Sequence, residues 1–260
     1  MQSQSLRREK LGDHARSQPI CGTVALGYRH YCGLFRQERF LRDLLVVFLT
    51  IDVFFVGIYA VAGVLKAFDL APEIASLQLN AETGLASIWN YGKFMAAIAA
   101  LVMIRRREGG VSLLILTLLF LLLLLDDYYE VHDHLARVVG ERISFGPLSS
   151  LHPINRGELF VYTVLLVIAA PSLWFALKNV QPPSRAFVGA MVIGVFLIGL
   201  FGVGVDVLHG VLDAMLSGYS DLVGKIFNRL MTIVEDGGEM VAISLCTWLS
   251  IVRLWEGRGA

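Results

Sequence analysis

Carboxylate and imidazole side chains are concentrated in one short run, Asp126-Asp127-Tyr128-Tyr129-Glu130-Val131-His132-Asp133-His134. If a helix continues through this run at about 100° per residue, five of these polar side chains fall within about 120° of arc. They are Asp126, Asp127, Glu130, Asp133 and His134, whereas His132 and Tyr128 would point elsewhere. Carboxylates combined with one or two imidazoles suit Mn, Fe or Zn. The run therefore predicts a polar site that can hold a metal ion.

Two later runs carry the same residue types. Asp206, His209 and Asp213 are spaced i, i+3, i+7, which places them on one stripe of a helix. The acid and histidine at i, i+3 resemble half of the motif by which helix bundles hold two iron ions, without the matching second half. Glu235 and Glu239 stand one turn apart, and the two glycines between them leave room for a neighbouring helix to approach closely.

The segments that must position these residues are long and apolar. Of the 260 residues, 56% are hydrophobic and 17% are charged, and the mean hydropathy is +0.65. Soluble domains are usually about 45–50% apolar, so the composition excludes a soluble domain. Since a bilayer span needs about 20 mostly apolar residues, the sequence predicts an all-α, polytopic membrane bundle of about six transmembrane helices. They cover residues 44–65, 88–104, 111 through the leucine run 118–125, 159–177, 187–212 and 230–254.

The distribution of basic residues predicts the orientation of the chain. Fifteen of the 22 Lys and Arg residues lie on the N-terminal side, six lie on the opposite side, and Lys93 lies within a span. Because short basic loops remain in the cytoplasm, the chain is predicted to lie in a bacterial inner membrane with both termini on the cytoplasmic side. Residues 1–42 would form a basic cytoplasmic tail and residues 43–256 the transmembrane domain. The third and fifth spans then end, and the sixth begins, on the outer side, so all three acidic runs lie at one depth.

Nine carboxylates at one depth cannot all stay ionised without partners, since one acid at a helix centre costs about 2.5–3.5 kcal/mol. Protonation, ion pairs with nearby arginines, a bound cation or exposure to water at the rim would each resolve this. The mixed chemistry favours a divalent ion, Zn, Mn or Fe, with Glu239 and Asp127 as candidate catalytic groups. The predicted metal ligands are Asp126, Asp127, Glu130, His134, Asp206, His209, Glu235 and Glu239.

Three functions fit these residues. The first is a metal-dependent hydrolase of a lipid-like substrate at the outer leaflet, with Glu239 as general base. The second is a cation- or proton-coupled transporter, and the third is a non-catalytic subunit with a structural ion site. A net charge of zero gives no reason to expect nucleic acid, so the expected partner is the bilayer. Asp52 and Lys93 lie inside spans, where each could be functional or could pair with the other.

The motifs resemble those of uncharacterised bacterial multi-pass membrane proteins, in which an Asp-Asp pair and a His-acid pair end one span. The matching residues are Asp126, Asp127, His132 and Asp133, followed by the acidic start of a later span at Glu235, Asp236 and Glu239. The chain is more distantly similar to the alkaline ceramidases and adiponectin-type receptors, which are seven-span zinc amidohydrolases. It departs from them because it lacks their His-x-x-x-His pair and has no histidine in its sixth span.

Overall fold

The computed structural model describes residues 31–33, 35, 38–67, 79, 84–143, 153–216 and 221–256, and these are helical with short connections and no strand. Six segments are long and apolar enough to cross a membrane, which confirms the predicted all-α bundle. Most of the predicted tail, residues 1–42, lies outside the described residues. The elements are α1 Arg39–Ala67, α2 Leu85–Glu108, α3 Val111–Tyr129, α4 Val131–Gly140, α5 Pro153–Lys178, a 3₁₀ turn Pro182–Ser184, α6 Arg185–Gly199, a π-helical segment Leu200–Val205, α7 Asp206–Leu216 and α8 Asp221–Glu256.

Helix α8 lies at the centre of the bundle. It packs against α1, α2, α6, the π-helical segment and α7. Of its most apolar stretch, 61% is buried, compared with 17–39% for the other five spans. This position explains how the last span can carry several polar side chains, because protein and not lipid surrounds most of them.

Apolar side chains cover the outside of the bundle. Val53, Phe54, Leu166, Val167 and Phe196 are each at least 60% exposed. In water such a surface would be far larger than the apolar patches that monomers tolerate. In a bilayer it meets acyl chains, so the exposed residues indicate the faces that contact lipid.

A buried ion pair joins α1, α2 and α8 in the middle of the bundle. Lys93 Nζ lies 2.8 Å from Asp52 Oδ1, and both side chains are only 1% exposed. Lys93 also donates to the Met240 carbonyl at 2.9 Å and to Ser244 Oγ at 3.0 Å. Asp52 accepts further hydrogen bonds from Trp89 Nε1 at 2.8 Å and from Ser244 Oγ at 2.5 Å. Of the two readings left open by the sequence, the structure therefore shows that these intramembrane charges pair with each other.

At the end of the bundle where α2 and α8 end, a second polar network holds the helices together. Arg253 Nη2 donates to Glu108 Oε2 at 3.0 Å and to the Pro183 carbonyl at 2.8 Å. Ser184 Oγ donates to the same Glu108 oxygen at 2.6 Å. Because Glu108, Arg253 and the 3₁₀ turn come from different parts of the chain, this network ties three elements together. We call this the basic end and the opposite one the acidic end.

Candidate functional site

A break in the chain after α3 positions the first group of acidic residues. Glu130 has φ 48° and ψ 40°, the left-handed region, which ends α3 and starts α4 in a new direction. The expectation of one continuous helix through His134 is therefore wrong. The shared face does not form, and the residues beyond the break are redirected. A left-handed conformation costs a residue other than glycine about 1–2 kcal/mol, so packing elsewhere must hold the break.

That packing is the close contact between α4 and α5. A Cβ added to Gly140 would collide with the Pro153 carbonyl, and one added to Gly157 would collide with the Ala136 carbonyl. Only glycine permits the two backbones to approach so closely. The contact brings the start of α5 beside α4, where the rings of His132 and Tyr162 lie 5.8 Å apart at an angle of 31°.

The turn at Glu130 directs His132 back towards α3. His132 Nδ1 lies 3.1 Å from Asp126 Oδ2, and the His132 backbone N–H donates to the other Asp126 oxygen at 3.0 Å. Burial alone would lower the pKa of His132. The hydrogen bond and charge of Asp126, with the charges of Asp133 and Asp127, outweigh burial and raise the pKa to about 9. His132 is therefore a cation at neutral pH, within ion-pair distance of Asp126 and Asp133.

Two more pairs come from α5, α7 and α8. The Tyr162 hydroxyl donates to Asp206 Oδ2 at 3.1 Å. His209 lies between two residues of α8, with Nδ1 3.5 Å from Glu235 Oε2 and Nε2 3.3 Å from Asn228 Oδ1. Each of these contacts links two different helices, so the acidic end is held together by polar side chains as well as by apolar packing.

Three carboxylates in the same group have no such partner. Across the described residues, Asp127, Asp236 and Glu239 make no ion pair or side-chain hydrogen bond, and Asp236 Oδ2 is buried. Their charges nevertheless act on one another, since Asp127, Asp236 and Glu235 all repel a charge on Glu239. We call Asp127, Asp236 and Glu239 the unpaired triad.

The π-helical segment makes room for the triad. A Cβ at Gly202 would lie 3.2 Å from Glu239 Oε2, closer than nearly all real contacts, so a glycine leaves space for the carboxylate. Beside Glu239 in the chain, Gly238 packs against the ring of Phe201, and a Cβ there would overlap that ring. The predicted close approach at the glycines of the last span is therefore confirmed. Wide π-helical turns within α-helices are frequent at functional sites.

Six of the eight predicted ligands meet at the acidic end: Asp126, Asp127, Asp206, His209, Glu235 and Glu239. The other two lie at the rim. Glu130 is 3.7 Å from Arg137, and the exposed His134 contacts the Glu130 carbonyl through Nδ1 at 2.8 Å. The side chain of Asp213, which shared the predicted stripe of α7, lies outside the described part of the chain.

Sequence reasoning missed four members of the group. His132 was expected to point away, Asp236 was not among the predicted ligands, and Glu158 and Tyr162 at the start of α5 were not considered. A signal for Glu158 and Tyr162 existed, because the fourth span begins at the same depth as the sixth. The position of His132 could not be predicted, because no residue type around Glu130 indicates a left-handed backbone conformation.

The donors are rich in oxygen, but their present arrangement does not fit a metal ion. Among the side chains that the structure describes, no three of His, Cys, Asp and Glu are arranged to hold one. The residues do form one electrostatic group in which carboxylates outnumber imidazoles.

The raised pKa of His132 predicts a pH-dependent stability. Since the folded chain holds this proton more tightly than the ordinary value of 6.5 implies, the contribution is complete below about pH 6.5. It is lost as the pH rises through about 9. We expect the unfolding temperature of the wild type in detergent to exceed that of His132→Asn most at low pH, and the difference to shrink across this window. A difference that stays constant would show that His132 is not charged in the fold.

A family model described as Domain of unknown function (DUF8692) matches residues 43–254 of the chain. No curated protein and no solved structure matches it. The resemblance to the ceramidases and adiponectin-type receptors gains no support from these comparisons.

Proposed function

We propose that this chain, which belongs to the family of the Domain of unknown function (DUF8692), is a proton-coupled membrane carrier. The observation that carries the proposal is the unpaired triad, Asp127, Asp236 and Glu239, which lacks any partner within the described residues. Ionisable groups inside a membrane that face a cavity or the bundle interior mark ion pathways and proton relays. Three neighbouring carboxylates without a cation beside them can be neutralised by protonation, so the triad can take up and release protons as a proton store.

The balance of charge around the triad supports this. His132 contacts Asp126 and Asp133, and His209 contacts Glu235, so neither imidazole forms an ion pair with a described residue of the triad. Arg156 is the nearest basic residue along α5, and its Nε is buried without a hydrogen bond. Acids outnumber bases, and like charges close together cannot all remain ionised. Neutralisation then requires mobile cations, of which the proton is the simplest.

The route beyond the triad supports a carrier. Met240, the residue after Glu239, accepts a hydrogen bond from Lys93, and the charge of Glu239 acts on Lys93. The Lys93–Asp52 pair thus lies deeper along α8 from the site. His132 and Glu235 at the acidic end are 27% and 19% exposed, so protons can reach the group from that end.

Orientation follows from the basic residues. Because short basic loops stay in the cytoplasm, the acidic end faces outside, in the inner membrane of a bacterium. Protons would then reach the triad from the outer side, where a proton-motive force supplies them.

Chemical labelling tests the proton store. Dicyclohexylcarbodiimide reacts with protonated carboxyl groups in apolar surroundings, and modified peptides can be mapped by mass spectrometry. We expect labelling of Asp127, Asp236 or Glu239 in detergent-purified protein at mildly acidic pH. Glu130, which lies near Arg137 at the rim, should remain unlabelled, and Glu130→Gln should label like the wild type. No label on any triad residue would contradict the proposal.

The same free carboxylates favour one alternative, a divalent-metal site serving a hydrolase of lipid-like substrates or a structural ion. It would require the described side chains to rearrange. Elemental analysis of protein purified without chelator separates the two, with wild type beside Glu239→Gln and His209→Ala. Stoichiometric Zn, Mn or Fe that both substitutions remove would replace the proton store by a metal site. Absence of metal in every sample supports the proton store.

A further inference from the structure

The three consecutive arginines that end α2 have different roles. Arg107 forms hydrogen bonds within the protein: it donates to Glu108 Oε1 at 2.8 Å and to the Leu254 and Arg253 carbonyls at 3.3 Å. Arg105 and Arg106 are exposed and make no ion pair or side-chain hydrogen bond with any described residue. Two guanidinium groups at the basic end are therefore free to bind an anion.

Both free arginines line a cavity of about 330 Å³, together with Gly109, Gly110, Val111 and Leu114. Its mouth carries no bulky side chain. A Cβ at Gly109 would meet nothing within 4 Å, and one at Gly110 would come only within 3.8 Å of the Gln181 amide nitrogen. The volume lies within the range of about 300–1,000 Å³ typical of small-molecule sites.

The cavity lies where the second span ends and the third begins. It is lined by the cationic Arg105 and Arg106 and by the apolar Val111 and Leu114, of which Val111 is 52% exposed. Positive charge beside apolar side chains at a membrane boundary complements a lipid with a negative headgroup. A free inorganic anion would gain nothing from contact with the apolar Val111 and Leu114.

We propose that this pocket binds the headgroup of an anionic phospholipid, with Arg105 and Arg106 on the phosphate and the acyl chains along Val111 and Leu114. The guanidinium fork matches phosphate oxygens in two-point hydrogen bonds, which gives geometric as well as electrostatic selectivity. This site is independent of the acidic end and of whether the chain carries protons.

Native mass spectrometry of detergent-purified protein tests the proposal, using equal amounts of phosphatidylglycerol and phosphatidylcholine with the same acyl chains. We expect retained phosphatidylglycerol in the wild type and a preference over phosphatidylcholine that falls by roughly thirtyfold in Arg105→Gln/Arg106→Gln. That factor follows from the contribution of a basic residue near an anionic membrane surface, taken twice. Arg105→Lys/Arg106→Lys should retain part of the preference.

The matched control is Arg39→Gln/Arg42→Gln, which removes two charges at the same end of the bundle but from α1, where both arginines lie near Asp43. It should bind phosphatidylglycerol like the wild type. Unfolding temperatures will show that each variant is folded. Equal loss in the control would mean a diffuse charge effect, and displacement of the lipid by millimolar inorganic phosphate would mean a free-phosphate site. Either result, or an unchanged preference in Arg105→Gln/Arg106→Gln, would overturn the proposal.

Discussion

Replacing Lys93 by Met should cost about 3–5 kcal/mol of unfolding free energy, the range found when one partner of a buried ion pair is removed. Asp52 would keep its hydrogen bonds from Trp89 and Ser244, but its charge would have no cation beside it. Its side chain is 1% exposed, so water cannot compensate. Asp52→Asn should have a cost of similar size, because it leaves the Lys93 ammonium with neutral partners only.

The measurement is unfolding in a mixed-detergent titration, followed by helical signal. The double variant Asp52→Asn/Lys93→Met should lose much less than the sum of the two single losses, because it leaves no unpaired charge. Asp43→Asn is the matched control, since its ion pairs with Arg39 and Arg42 are exposed, and such pairs contribute little. Single losses below about 1 kcal/mol would mean that one of the two buried groups is already neutral in the folded protein.

The location of Asp52 and Lys93 within the membrane was predictable, whereas the directions in which their side chains point were not. Asp52 falls in the middle of the first predicted span and Lys93 near the start of the second, so both were predicted to lie within the membrane. Whether their side chains meet depends on the rotation of α1 and α2 about their axes. The hydrophobic pattern does not fix that rotation when all faces of a span are apolar. The sequence therefore left pairing and separate function equally open, and packing against α8 decided between them.

The acidic end shows the same division. Topology alone brought the ends of the third and fifth spans to the start of the sixth, and the structure places most of those acids together. Helical spacing failed beyond Tyr129, because Glu130 adopts the left-handed conformation. No glycine, asparagine or proline next to Glu130 indicates that turn. It depends on Gly140 and Gly157, which let α4 lie against α5, and a contact between two such distant glycines is not visible in local sequence.

The type of ion is the part of the site that residue types alone leave open. Acids and histidines in one region favour a metal ion, but a metal needs several donors directed at one point. In the structure the two imidazoles contact different acids, His132 with Asp126 and Asp133 and His209 with Glu235. The carboxylates left over lie along α3 and α8. Spacing along single helices reports which residues share a face, and it does not report how pairs form between helices.

Replacing Glu239 by Gln should stabilise the protein and abolish its proton coupling. Glu239 has no polar partner among the described side chains, and the charges of Asp127, Asp236 and Glu235 oppose its own. Glutamine has the same size and fits the space beside Gly202, but it carries no charge and can donate to the neighbouring carboxylates. We expect a gain of about 1–2 kcal/mol, as is common when a strained functional group is removed.

Thermal unfolding in detergent measures the gain, and decay of an imposed pH gradient across proteoliposomes measures the coupling. Glu235→Gln is the matched control on the same helix, because it loses the His209 contact at 3.5 Å and should not be stabilised. A gain in Glu239→Gln alone, together with a slower decay of the pH gradient, identifies Glu239 as a residue kept for function at a cost in stability. A loss of more than about 1 kcal/mol would mean that the Glu239 carboxylate is satisfied within the fold, and the proton store would then have to exclude it.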